Sequence, residues 1–195
     1  MQRSKMARPA PRPARMVPAS ATAASRVLGE LVPGGRVVGL SWGEFSMLDL
    51  IRGALDQIGP AAVTIATWNM ESRDVATLAR LRDCGLITSL VVLIDRSFTR
   101  LHPAPAAAAA RLLPGCVRES TTHAKFAVLR NEGWNVTIRS SANMNRNRRL
   151  EQFDLDDDAD IADLFVDAVA RVPAPRSGAT TSPAGDLDHL LREIP

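Results

Sequence analysis

Between residues 36 and 113 the hydrophobic period switches repeatedly between that of a strand and that of a helix. This alternation constrains the fold more than any other feature of the sequence. "RVVGLSW" (36–42) is a β-branched run. "SMLDLIRGALDQI" (46–58) places Leu48, Ile51, Leu55 and Ile58 on one helical face, with Ser46 as N-cap. "AVTIATW" (62–68) is a second strand and "SRDVATLARLRDCG" (72–85) a second helix, capped by Ser72 and stopped at Gly85. "SLVVLID" (89–95) is apolar throughout, as a strand covered on both faces must be. "APAAAAARLL" (104–113) predicts a helix. "HAKFAVLR" (123–130) and "WNVTIRSS" (134–141) predict a hairpin turned by "NEG". "DADIADLFVDAVARV" (158–172) predicts a last helix, and the aspartates of 154–163 suit its amino-terminal dipole better than a metal. This order predicts an α/β fold with a mixed sheet, parallel early and antiparallel in the late hairpin.

The flanks differ in kind. Residues 1–25 are Pro-, Ala- and Arg-rich with nothing to bury, and predict a disordered basic arm. Arg3, Lys5, Arg8, Arg12, Arg15 and Arg26 meet no acid before residue 27, a balance that suits a polyanion. Residues 26–172 are the predicted domain. Residues 173–185 read as a linker, and 186–195 as a short helix carrying Leu187, Leu190, Leu191 and Ile194. Cys84 and Cys116 lack metal-ligand spacing and predict buried, reduced thiols. No apolar run is long enough to cross a membrane, and the proline-rich start fails as a secretory signal, so a cytoplasmic protein is predicted.

The polar residues of 123–151 stand out from this pattern. Two residues apart on a strand, His123 and Lys125 project side by side, while Phe126, Val128 and Ala124 turn to the core. The hairpin returns Ser140, Ser141 and Asn143 to the same sheet end. A nucleophile or base, a fixed positive charge and neutral donors in one place suit the holding and attack of a phosphate. Trp42 and "GEFS" after the first strand, and Trp68 and Asn69 after the second, reach the cleft edge or the core.

His123-Ala-Lys125 followed by Ser141-Ala-Asn143 resembles the signature of the phospholipase D superfamily. The resemblance covers residues 120–153 and implies a three-layer α/β/α sandwich with a mixed sheet. It implies a metal-independent phosphodiesterase, without a cofactor, working through a phosphohistidine. His123 would be nucleophile or acid, and Lys125 would neutralise phosphoryl oxygens to which Ser141 and Asn143 donate. Glu151 would orient an imidazole. The sequence departs from the family where Arg130 stands at the usual aspartate, whose role is more structural than catalytic, and where Ser140 stands at the usual glycine.

One His-x-Lys motif cannot supply the two histidines of that mechanism. His102 precedes a proline and His189 lies past the linker, so the resemblance implies a homodimer, as in small bacterial nucleases of this family. Arg139, Arg146, Arg148 and Arg149 flank the motif and could follow a phosphate backbone, which favours DNA over a phospholipid. The alternative is a catalytically weak or inactive module of the same fold that binds nucleic acid. Short single-motif chains of this kind also resemble some phage and prophage proteins.

Overall fold

The computed structural model describes residues 12–17, 24–146 and 148–174. Eight strands form one sheet. They are β1 (Ala14–Val17), β2 (Arg36–Ser41), β3 (Ala61–Thr67), β4 (Ile87–Asp95), β5 (Val117–Ser120), β6 (Phe126–Arg130), β7 (Asn135–Ser140) and β8 (Glu151–Asp157). The helices are α1 (Ala24–Leu28), α2 (Met47–Ile58), α3 (Ser72–Asp83), α4 (Phe98–Leu101), α5 (Pro103–Leu112) and α6 (Ala159–Ala170). The strands run in the order β1-β2-β8-β7-β6-β3-β4-β5. β1 with β2, and β3 with β4 and β5, are parallel; β2–β8, β8–β7, β7–β6 and β6–β3 are antiparallel.

The architecture is the expected three-layer one with a mixed sheet, but its layers are unequal. One face packs Val63, Ile65, Ala127, Leu129, Val136 and Ile138 against apolar residues of α1, α2, α3 and α5. The other packs Ala66, Leu93, Phe126 and Val128 against Ala162 and Val169 of α6. Phe126 meets Phe165 edge-on at 4.6 Å. Among the described residues α6 is the helix on that side, and Val38 and Leu40 of β2 are exposed.

Ser46 caps α2 as expected: its side chain accepts from Asp49 N while the Asp49 carboxylate accepts from Ser46 N. Burial works against the Asp49 charge, but hydrogen bonds from Ser46 and Arg146 outweigh it and hold the carboxyl below its ordinary range. α3 begins one residue earlier than Ser72 suggested, with Glu71 as N-cap in a reciprocal box with Asp74. Burial, the largest influence on Asp74, pushes its carboxyl up. Gly39 makes room for Phe153, its partner across β2 and β8; a β-carbon there would lie 2.5 Å from the ring.

Four expectations change. The predicted arm supplies an edge strand, because Arg15 donates to Val27 O, Arg36 N donates to Pro13 O at 2.7 Å, and Arg12 pairs with Asp158. Asp154, Asp156 and Asp157 belong to β8 and not to a helix start, so only Asp158 and Asp160 serve α6. β8 holds its acids because Arg36 and Arg139 from the strands on either side neutralise them. Cys84 is exposed and Cys116 half-buried rather than both interior. Finally, β6 starts at Phe126, leaving His123, exposed Ala124 and Lys125 in the irregular segment before it. The predicted helix of 186–195 and residues 175–185 of the linker lie outside the described residues.

Candidate active site

The parallel strands β2, β3 and β4 end at one edge of the sheet, where the antiparallel β6 and β8 begin and β7 ends. Side chains following one strand set and preceding the other therefore converge there. Carboxyl ends of strands are where open α/β sheets bind ligands.

The approach to β6 is held before it enters the sheet. Asp95, last in β4, accepts from Thr122 N at 3.0 Å and from Ser97 N at 2.9 Å. Hydrogen bonds from Ser97 and then Thr122 keep its carboxyl below the ordinary range, so it stays an anion that fixes this loop. His123 follows, exposed, with its ring 6.2 Å from the Trp68 ring at the end of β3. Lys125 Nζ lies 3.0 Å from His123 O and 3.3 Å from His123 Nδ1. The expected side-by-side placement of histidine and lysine is thus present, although the segment precedes the strand. Burial lowers the Lys125 pKa, and the charge of Glu151 works in the opposite direction.

Ser140 ends β7, and its N–H donates to Lys125 O at 3.1 Å, locking the two chain ends together. Its hydroxyl donates to Gln152 O at 3.2 Å and accepts from Ala142 N at 3.0 Å. Ser140 therefore shapes the turn through its hydroxyl. Ser141 donates to the Glu151 carboxylate and accepts from Gln152 N at 3.0 Å. Asn143 O accepts from Met47 N at 3.4 Å, and the Asn143 side-chain carbonyl is buried with no partner among the described residues. Asn69 leaves a second unpartnered carbonyl, next to Trp68. Such groups call for a donor from water or a ligand.

Glu151 is the first residue of β8, a strand that sequence reasoning missed, and this strand carries it to Ser141. The hydrogen bond it was expected to make with an imidazole goes to that hydroxyl instead. Of the four arginines, Arg139 is committed within the protein: Nε donates to Asp154 at 2.6 Å, and the guanidinium also pairs with Asp156. Arg146 donates from Nε to Asp49 at 3.1 Å, with most of its side chain exposed. Arg148 and Arg149 are exposed.

Two further residues join the edge. Trp68 is half-buried at 6.2 Å from both His123 and His102, so one indole links the two histidines. His102 also lies 5.8 Å from Phe98. Arg130 lies at the other end of β6, where it donates to Asn135 at 2.9 Å and to Asp163 at 2.7 Å. Arg130 thus belongs to the joint with α6 and not to the edge that carries His123.

No family model matches the sequence, and no curated protein sequence matches it. Among solved structures, a phospholipase D family member, Nuc from Salmonella typhimurium, superposes with a TM-score of 0.55 at 16% identity, over 73% of this chain and 99% of that one. Polyphosphate kinase from Porphyromonas gingivalis gives 0.51 at 14% identity over 72% of this chain, which spans 27% of the kinase. NucT from Helicobacter pylori gives 0.46 at 15% identity, covering 70% and 95%. Sheet order, layering and the likeness to Nuc agree: the chain has a phospholipase D-like fold.

Proposed function

We propose that this protein is a metal-independent phosphodiesterase, a DNA nuclease that works as a homodimer through a phosphohistidine on His123. The observation that carries this reading is the contact between Lys125 Nζ and His123 Nδ1 on an open sheet edge, beside Ser141 and Asn143. Where the ammonium donates to Nδ1 of a neutral ring, that ring carries its proton on Nε2. A bound phosphodiester draws Nζ to its own oxygens. Nδ1 can then take the proton, and Nε2 is left with a free lone pair.

Nε2 attacks phosphorus; an N–P bond forms as the P–O bond to the leaving strand breaks. The leaving oxygen takes a proton from a second histidine, His123 of the partner subunit, which enters this step as its imidazolium. Water then gives a proton back to that second imidazole as its oxygen attacks phosphorus, which breaks the N–P bond and restores the imidazole of His123. Lys125 faces the charge that spreads over the phosphoryl oxygens, and the Ser141 hydroxyl joins it once its proton turns from Glu151 to the phosphate. Glu151 keeps Lys125 charged against its burial and orients Ser141. The fold shared with Nuc supports the reading at the level of architecture.

A second reading, a nucleic-acid-binding module without turnover, draws on one observation: Glu151 bonds Ser141 rather than an imidazole. Cleavage of labelled single- and double-stranded DNA in excess EDTA, with light-scattering mass, separates the two for wild type and His123→Ala. Cutting by a dimer that is lost in His123→Ala supports the nuclease. A protein that binds DNA in a salt-dependent way and never cuts it supports the module.

A further inference from the structure

Beside the reacting edge lies a cleft of about 630 Å³ lined by Trp42, Gly43, Glu44, Arg146 and Arg148. Its position follows from register. Ser41, the last residue of β2, pairs with Glu151, and Trp42 comes next. Arg146 and Arg148 come from the loop between Asn143 and Glu151. From β2 to β6 is three strand spacings, roughly 14 Å across the sheet edge.

The turn that presents Trp42 is built, not loose. Gly43 takes φ 79°, the left-handed region that other residues avoid. Gly43 N donates to Ser41 Oγ at 3.2 Å, and Trp42 N donates to the Glu44 carboxylate at 2.7 Å. These bonds leave the Trp42 side chain outside the core, 57% exposed, in a chain with only three tryptophans. The exposed indole shares the cleft wall with Arg146 and Arg148. Arg146 keeps one bond, to Asp49, which fixes it at the cleft wall with most of its side chain exposed. The lining carries Arg146 and Arg148 against the carboxylate of Glu44, with Arg146 also paired to Asp49 at the wall.

We propose that this cleft is a base-stacking subsite that selects unpaired nucleotides: a base lies on the Trp42 indole while Arg148 and Arg146 hold the phosphates beside it. The inference rests on the nuclease reading and deepens it by naming single-stranded DNA as the substrate. An indole stacks on any base whose face is free, and within a duplex those faces are covered by neighbouring pairs. Arginines beside the ring supply the charge that follows the backbone without reading sequence.

The test measures binding in the full-length chain carrying His123→Ala, so that the probe stays intact. The probes are a labelled 12-nucleotide single strand, its duplex, and an abasic strand of equal length. The single strand should bind roughly ten-fold or more tightly than the abasic strand. Adding Trp42→Ala should bring it down to the abasic level with unchanged salt dependence, and Trp42→Phe should restore most of the loss. Arg148→Ala should weaken single and abasic strands alike and reduce the salt slope by about 0.7.

If Trp42→Ala binds the single strand undiminished, or weakens the abasic strand equally while melting normally, the subsite is wrong. Wild-type protein that shows the base-dependent binding but never cuts would overturn the nuclease reading and leave the subsite standing.

Discussion

The hairpin of β6 and β7 has two polar ends, and they are opposites. At the turn, Arg130 is held by Asn135 and Asp163, and Asn131 donates to Ile58 O at 2.9 Å and to Pro60 O at 3.2 Å. Asn135 N donates to Asp157 at 2.8 Å. That end is saturated with partners from α6, β8 and the loop before β3, and its polarity serves the fold. At the open end, His123 is exposed, Lys125 rests on its neighbour's ring, and Asn143 keeps a carbonyl with no partner. Polar residues in a structural joint consume one another's hydrogen bonds, whereas polar residues in a site leave capacity for a ligand.

Substitutions at the two ends should therefore fail differently. The largest effect is expected at His123: His123→Ala should lower DNA cleavage by on the order of 10³-fold or more, with an unchanged melting temperature. A tenfold loss or less would make the open end another structural joint. Lys125 comes next. Its pKa is lowered by burial, so it loses its proton at a lower pH than an ordinary lysine, and cleavage should fall on that alkaline limb. Glu151→Gln removes the charge that opposes this shift, so the limb should move further toward neutral pH; a pH–rate profile for both proteins reads the direction.

At the turn, Arg130→Ala should do the reverse. Its pair with Asp163 is partly exposed, so the loss is held to about 1 kcal/mol, a few degrees in melting temperature, with cleavage near wild type. Thermal melts beside activity assays check this. A collapse of activity in a protein that still melts cooperatively would erase the distinction between the ends. The smallest effect is expected at His102. If the second histidine comes from the partner subunit, His102→Ala should cut DNA within a few-fold of wild type. A loss equal to that of His123→Ala would place both histidines of the reaction in one chain, across Trp68.

The alternation of periods was enough to read α2, α3, β3 and β4, because each buries a stripe its own sequence spells out. β8 was not legible. Only Phe153 and Leu155 alternate within it, and its acids are tolerated because Arg36 and Arg139 arrive from strands distant in sequence. The same cause misplaces Arg139, which looks free for phosphate until β8 is known. β1 was hidden in a proline-rich stretch because an edge strand needs one neighbour and little apolar surface. In the site, His123, Lys125 and Ser141 could be grouped from hairpin geometry alone. The linkage of His102 and His123 through Trp68 depends on the order of β3, β4 and β6, which no local pattern encodes.

The central claim is that His123 bonds to phosphorus, and trapping that bond tests it most directly. DNA labelled on one side of the cleaved bond would be mixed with the protein in EDTA, denatured within a turnover, and the protein digested and mapped. The account predicts label on the peptide containing His123, stable to alkali and released by acid, and absent from His123→Asn. Rapid cleavage with no protein-bound label, or with the label on another residue, would contradict it.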